Sequence, residues 1–205
     1  MKAESIVFAV AGMCFGVILG WVIATQQAGG RVAAVPVQAA APAAQAAGTP
    51  RQPPPLDEAK VQSLSTILKS DPKNAGAAVQ LANTYFDAEQ YPDAIKWYEQ
   101  ALQLTPNDPD ASTDLGVSFY YTGQTEKALQ QFDKSLKINP KHTKTLLNQG
   151  IVLAFGKRDL AAAAEAWKRV VDLAPESPEG QAARRGLEGI AAAGNHTETP
   201  AQPPS

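Results

Sequence analysis

The sequence predicts an all-α protein: a stack of helical hairpins behind one membrane-length helix and an unstructured linker. Three observations carry that expectation. Residues 6–25 contain no charged side chain. Residues 26–55 are almost entirely Ala, Gln, Pro, Gly and Val. Beyond them, Pro72, Pro106, Pro140 and Pro175 recur at spacings of 34, 34 and 35 residues, and a fixed period in this range is the mark of stacked supersecondary units.

The first element is an anchor over residues 1–25. The stretch IVFAVAGMCFGVILGWVIAT is 20 residues long, so as a helix it spans about 30 Å, the thickness of a bilayer's hydrocarbon core. A secretory signal has a shorter apolar region, and the Ala-Thr-Gln-Gln-Ala-Gly that follows makes a poor cleavage site, so an uncleaved single-pass helix is expected. Lys2 and the amino terminus precede the span and Arg31 follows it; the balance puts the N-terminus in the cytoplasm and the remainder across the membrane. Gly12, Gly16 and Gly20 recur every fourth residue, a face through which two such helices can pair and form a homo-oligomer. Glycine is common in membrane helices in any case. Cys14 lies inside the apolar stretch, where a thiol behaves as a small hydrophobe.

The second element, residues 26–55, is a disordered linker. Pro36, Pro42, Pro50 and the run Pro53, Pro54, Pro55 forbid a continuous helix. Too few bulky apolar residues are present to offset the entropy cost of ordering. The linker reaches about 30 Å on average and spaces the folded part from the bilayer.

The third element, residues 56–194, is the helical array. Alignment on the prolines superposes Leu81-Ala82, Leu115-Gly116 and Gln149-Gly150, then Tyr85, Phe119 and Leu153. In the second halves Ala94, Ala128 and Ala163 align. So do Tyr98, Phe132 and Trp167, and after them Ala101, Ser135 and Val170. Each unit therefore reads as two amphipathic helices, with small residues where the pair approaches and aromatics filling the gap. Turn signals divide the halves at Gln90-Tyr91-Pro92, Thr122-Gly123-Gln124 and Gly156-Lys157-Arg158. The third unit carries one extra residue near its turn. Flanking helices are expected over 57–70 and over 178–193, the latter with the more polar face of a terminal cap, followed by a disordered tail over 195–205.

Composition narrows the function classes. The net charge of -2 gives no overall basic excess to neutralise phosphates, so no nucleic-acid partner is expected. One cysteine permits no internal disulfide. With only His142 and His196 beside it, no Cys/His metal site can be assembled. His142 reads as a surface-loop histidine between units. No catalytic set or phosphate-binding glycine loop has convincing spacing, so neither an enzyme nor a cofactor is expected.

The small, large and proline positions resemble those of the tetratricopeptide repeat (TPR) family, over units 75–108, 109–142 and 143–176. That resemblance implies a right-handed solenoid of three full repeats whose first helices line a concave groove. Carried over residue by residue, the groove is lined in the first unit by Gly76, Val79, Gln80, Asn83, Phe86 and Asp87. The second unit contributes Asp110, Thr113, Asp114, Val117, Tyr120 and Tyr121, and the third Lys144, Leu147, Asn148, Ile151, Ala154 and Phe155. One subtype of the family clamps the C-terminal carboxylate of chaperone tails with lysine, arginine and asparagine. Only Asn83 and Lys144 match it here. Val79 stands in place of a lysine, Asp114 of an asparagine and Asn148 of an arginine, and an aspartate repels a carboxylate. What remains is an apolar strip of Val79, Phe86, Val117, Tyr120, Tyr121, Leu147, Ile151 and Phe155, edged by Asn83, Asp87, Asp114, Lys144 and Asn148. Such a strip suits a protein or peptide segment, although several of its members can instead pack between hairpins. The layout resembles bacterial inner-membrane proteins with an extracytoplasmic array. The expected function is a membrane-tethered adaptor or scaffold. The alternative is a holdase-like chaperone, or an accessory subunit for exported proteins such as those of cytochrome c maturation or the secretion channel.

Overall fold

The computed structural model describes residues 53–197. The expected anchor over 1–25 with Gly12, Gly16 and Gly20, the linker up to residue 52, and residues 198–205 of the tail lie outside the described residues. The chain divides into two units, 1–54 and 55–205, and the helices among the described residues belong to the second.

Eight α-helices are described: α1 (Glu58–Ser70), α2 (Ala75–Asp87), α3 (Tyr91–Leu104), α4 (Pro109–Tyr121), α5 (Thr125–Ile138), α6 (Thr143–Ile151), α7 (Leu160–Leu173) and α8 (Pro178–Thr197). A π-helical segment, Val152–Lys157, continues α6. No strand occurs among the described residues. The architecture is an all-helical, TPR-like solenoid in which α2/α3, α4/α5 and α6/α7 form three hairpins between α1 and α8. No helix among the described residues is long and apolar enough to cross a membrane.

The helix starts follow from side chains that accept otherwise unpaired backbone amides. Asp57 accepts from the Lys60 amide at 2.9 Å, Asn74 from Ala77 at 2.9 Å, Asp108 from Ala111 at 3.0 Å and Asp159 from Ala162 at 2.9 Å. The first helix of each hairpin ends at a left-handed residue: Glu89 (φ 57°), Gly123 (φ 78°) and Arg158 (φ 58°).

The core is a repeated small-against-large pairing. Ala94, Ala128 and Ala163 are fully buried, as are Ala82, Ala101, Ser135 and Val170. Against them lie Tyr98, Phe132 and Trp167, each no more than 2% exposed. A Cβ added at Gly116 would stand 2.5 Å from the Phe132 ring, and one at Gly150 would collide with the Trp167 indole. A Cβ added at Gly186 of α8 would likewise stand 2.6 Å from the same indole. Burying each of these aromatics contributes on the order of 2–3 kcal/mol. At the N-terminal end, Leu64 and Leu68 of α1 cover Ala77, Ala78 and Leu81.

Two expectations need correction, and a third gains its form. The extra residue expected near the turn of the third unit is taken up at the helix end as the π segment Val152–Lys157, a common fate for a single insertion. The backbone shows it: the Gln90 amide closes on the Tyr85 carbonyl and Gln124 on Phe119, five residues back, whereas Asp159 reaches Leu153, six back. Helix α8 runs to Thr197, so the tail does not begin at 195. His142 is not a surface-loop residue: it precedes α6 and its side chain is 16% exposed.

Candidate protein-binding face

The first helices α2, α4 and α6 supply the residues expected to line the groove. The structure sorts them into two groups. Val117 (6% exposed), Leu147 (4%), Ile151 (6%) and Ala154 (6%) are buried, as is Thr113. These pack between hairpins, and the carry-over from the repeat pattern placed them in the groove because burial at such positions depends on the neighbouring hairpin. Val79, Asn83, Phe86, Asp114, Tyr120, Tyr121, Lys144, Asn148 and Phe155 are half-buried, and Asp87 is exposed.

Phe86, Tyr120 and Tyr121 belong to one aromatic cluster with half-buried Tyr91 and the core residue Tyr98. Tyr91, the first residue of α3, stacks on Tyr121 with ring centroids 4.5 Å apart and planes 9° off parallel. Phe86 meets Tyr91 edge-on at 5.5 Å and Tyr98 at 6.4 Å. Tyr120 and Tyr121 are 5.8 Å apart. The sequence places Tyr91 in a turn signal; the structure makes it the first residue of α3, in keeping with Pro92 in a first helical turn.

The extra residue also changes the register of the third unit. Counted back from the left-handed residues, Phe155 takes the place of Tyr120 and Phe86, and Gly156 that of Tyr121. A Cβ at Gly156 would lie 3.1 Å from the Tyr120 ring, so the glycine gives that ring its room.

Polar groups at the floor are paired within the chain. The Tyr98 hydroxyl donates to Asn83 Oδ1 at 2.6 Å. Lys144 Nζ lies 2.8 Å from Asp114 Oδ1, 3.0 Å from Asp114 Oδ2 and 3.9 Å from Asp110. Burial works to lower the Lys144 pKa, but Asp114, Asp110 and Asp108 together hold it above the ordinary lysine value. Burial raises the Asp114 carboxyl despite Lys144, and it raises Asp87 against the pull of Lys60. The two residues that match the carboxylate clamp, Asn83 and Lys144, are thus both engaged internally. Asn148 donates its side-chain amide to the Lys144 carbonyl at 2.8 Å.

Beneath this floor a buried hydroxyl network joins the second and third hairpins. Thr113 and Thr145 approach to 2.6 Å, Ser135 and Thr145 to 2.7 Å, and His142 Nδ1 and Thr145 to 2.6 Å. His142 Nε2 faces Asp110 at 3.4 Å. The network is polar but complete: no buried side-chain nitrogen or oxygen among the described residues lacks a partner. Nor do any three His, Cys, Asp or Glu side chains among them converge as a metal site would require.

Comparison with known proteins agrees with this geometry. Models described as TPR repeat and tetratricopeptide repeat match residues 82–123 and 113–178. The chain is 30% identical over 93 residues to the CTR9 homolog of Arabidopsis thaliana, covering 45% of this chain and 8% of that protein. It is 28% identical over 160 residues to the cytochrome c-type biogenesis protein CycH of Pseudomonas aeruginosa, covering 74% of this chain and 39% of that protein. The chain therefore spans well under half the length of either relative. Among solved structures, the first TPR of Spaghetti (RPAP3) bound to an HSP90 peptide superposes with a TM-score of 0.54 at 23% identity, over 61% of this chain and 96% of that one, a likeness in fold. Residues 82–178 thus match tetratricopeptide-repeat models and share the fold of solved TPR structures.

Proposed function

We propose that this chain is a membrane-tethered protein-binding adaptor, whose first-helix groove holds a segment of a partner protein near a bacterial inner membrane on its extracytoplasmic side. The observation that carries the reading is the half-buried cluster of Phe86, Tyr91, Tyr120 and Tyr121, beside the amide-bearing side chains of Asn83 and Asn148. Rigid aromatics give large contact area at small entropic cost, and amides can hold an extended backbone. Members of the repeat family serve as protein-binding adaptors, and the RPAP3 structure carries a peptide by its own description. The anchor expected over residues 6–25 and the linker over 26–55 supply the tether. Similarity to CycH favours, within this reading, an accessory role toward exported proteins such as apocytochromes.

The groove is not suited to a chaperone's C-terminal carboxylate, because Lys144 is neutralised by Asp114 and Asn83 already accepts from Tyr98. Replacing Tyr120 with a photoreactive residue in cells and identifying the adducts tests the reading. One dominant partner, lost with Phe86→Ala, is expected; adducts spread evenly over unrelated proteins would favour a holdase instead.

A further inference from the structure

Building on the groove as a docking site, we infer that its occupant is a cationic segment: a stretch of partner protein presenting lysine or arginine side chains, together with apolar anchors, to the aromatic faces and carboxylates of the first two hairpins.

Charge complementarity leads to this partner. Helices α2 and α4 contain Asp87, Asp110 and Asp114 and no lysine or arginine at all, with Asp108 preceding α4. The cations facing this region are Lys60 of α1 and Lys144 of α6. Four carboxylates thus stand against two ammonium groups and one imidazole: Lys144 is already committed to Asp114 at 2.8 Å, and His142 Nε2 lies 3.4 Å from Asp110. Asp87 is exposed, and the Asp110 side chain is 68% exposed.

Three of these carboxylates, from two helices and a cap, share one field: ionisation of the Tyr98 hydroxyl is pushed up by burial first, and then by Asp114, Asp87 and Asp108. An anionic or carboxylate-terminated ligand would meet that field as repulsion.

The aromatic arrangement asks for the same ligand. Phe86 is adjacent in sequence to Asp87, and its ring is edge-on to Tyr91, which stacks in turn on Tyr121. Ring faces beside a carboxylate attract an ammonium or guanidinium through the ring quadrupole while accepting its alkyl stem. A ligand of apolar residues alone would leave Asp87 unused and Asp110 facing only His142 and, at 3.9 Å, Lys144; one with lysines spaced along it would engage both carboxylates.

Fluorescence anisotropy with the full-length protein in detergent tests the inference. The probes are three labelled, C-terminally amidated peptides built on one repeated Ala-Leu-Phe framework, carrying lysine, glutamine or glutamate at the same interspersed positions. The lysine probe is expected to bind about three- to tenfold more tightly than the glutamine probe, and the glutamate probe most weakly. The lysine preference should shrink as salt is raised, and it should vanish in the Asp87→Asn, Asp110→Asn double variant, whose changed residues are exposed and leave the core intact. Equal binding of the three probes, or a lysine preference unchanged in the double variant, overturns the charge selection while leaving the groove a docking site. Absence of binding by every probe also overturns it, and cross-linking from Tyr120 remains the separate test of the groove itself.

Discussion

The Trp167 indole occupies the space left by the missing side chain of Gly150, and its Nε1 donates to the Leu147 carbonyl at 3.1 Å. The equivalent pairs in the other hairpins, Ala82 with Tyr98 and Gly116 with Phe132, show the same trade of a small residue for a large one. The partner is alanine opposite the phenol and glycine opposite the phenyl and indole rings.

Gly150→Ala should therefore destabilise the array by about 1–3 kcal/mol through overpacking. The adjacent control is Gly189→Ala, where an added Cβ meets nothing within 4 Å and a helical alanine should stabilise by about 0.5–1 kcal/mol. Urea midpoints of the two variants should move in opposite directions. If Gly150→Ala leaves the midpoint unchanged, the indole is not held as described.

The π segment Val152–Lys157 marks a local weak point. Its hydrogen-bond geometry is poorer than that of an α-helix, and it ends at Arg158 in the left-handed region, where a residue with a Cβ costs about 1–2 kcal/mol. Amide exchange in 152–157 should be faster than at the matching end of α4, residues 118–121. Arg158→Gly should raise the melting temperature by relieving the left-handed strain, read by calorimetry against the wild type.

Stability should fall at alkaline pH. Tyr91 is pushed up to about 12 by burial and by Glu89, and Tyr98 and Tyr121 are also raised, chiefly by burial. The unfolded phenols ionise near pH 10, while the folded ones resist. The stabilising contribution is thus complete below about pH 10 and is lost as pH rises toward and through the folded values. Lys144, raised by its carboxylates, acts in the same direction. Denaturation midpoints measured from neutral pH upward should drop above about pH 10, and less steeply in Tyr91→Phe.

The hydroxyl network predicts an asymmetry between hairpins. Thr113, Ser135 and Thr145 are fully buried and mutually bonded, so Thr113→Val should cost about 1–3 kcal/mol by orphaning its partners. The positions equivalent to Thr113, Ser135 and Thr145 one repeat earlier are Val79, Ala101 and Ala111. Ala101→Ser would bury a hydroxyl without that company and should destabilise by a similar amount. Chemical denaturation of the two single variants checks both; a neutral Ala101→Ser would contradict the packing described.

The repeat boundaries and core pairs were legible because they rest on strict residue-size requirements at a fixed period. Ala94, Ala128 and Ala163 cannot be larger, and a proline can close a helix in only one way. Legibility stopped where contacts depend on a neighbouring hairpin. Val117 and Asn83 both sit on a first helix at groove positions, yet one is buried and the other half-open. Ser135 reads as a merely small residue until Thr113 and Thr145 are found beside it, and the insertion placed near the third unit's turn shows its π-helical form only in three dimensions. The clamp comparison was informative in a different way: Asp114 was seen as a repulsive substitution, but its bond to Lys144 appears only in three dimensions.

The central claim, that the first-helix face holds a partner, is tested most directly by comparing photo-crosslinking from two positions in the full-length protein. One is Tyr120 on that face; the other is Gln130 on the exposed side of α5. The account predicts a dominant partner adduct from position 120, abolished by Phe86→Ala, and none of that adduct from position 130. The same partner captured equally from both positions, or from 130 alone, would contradict it.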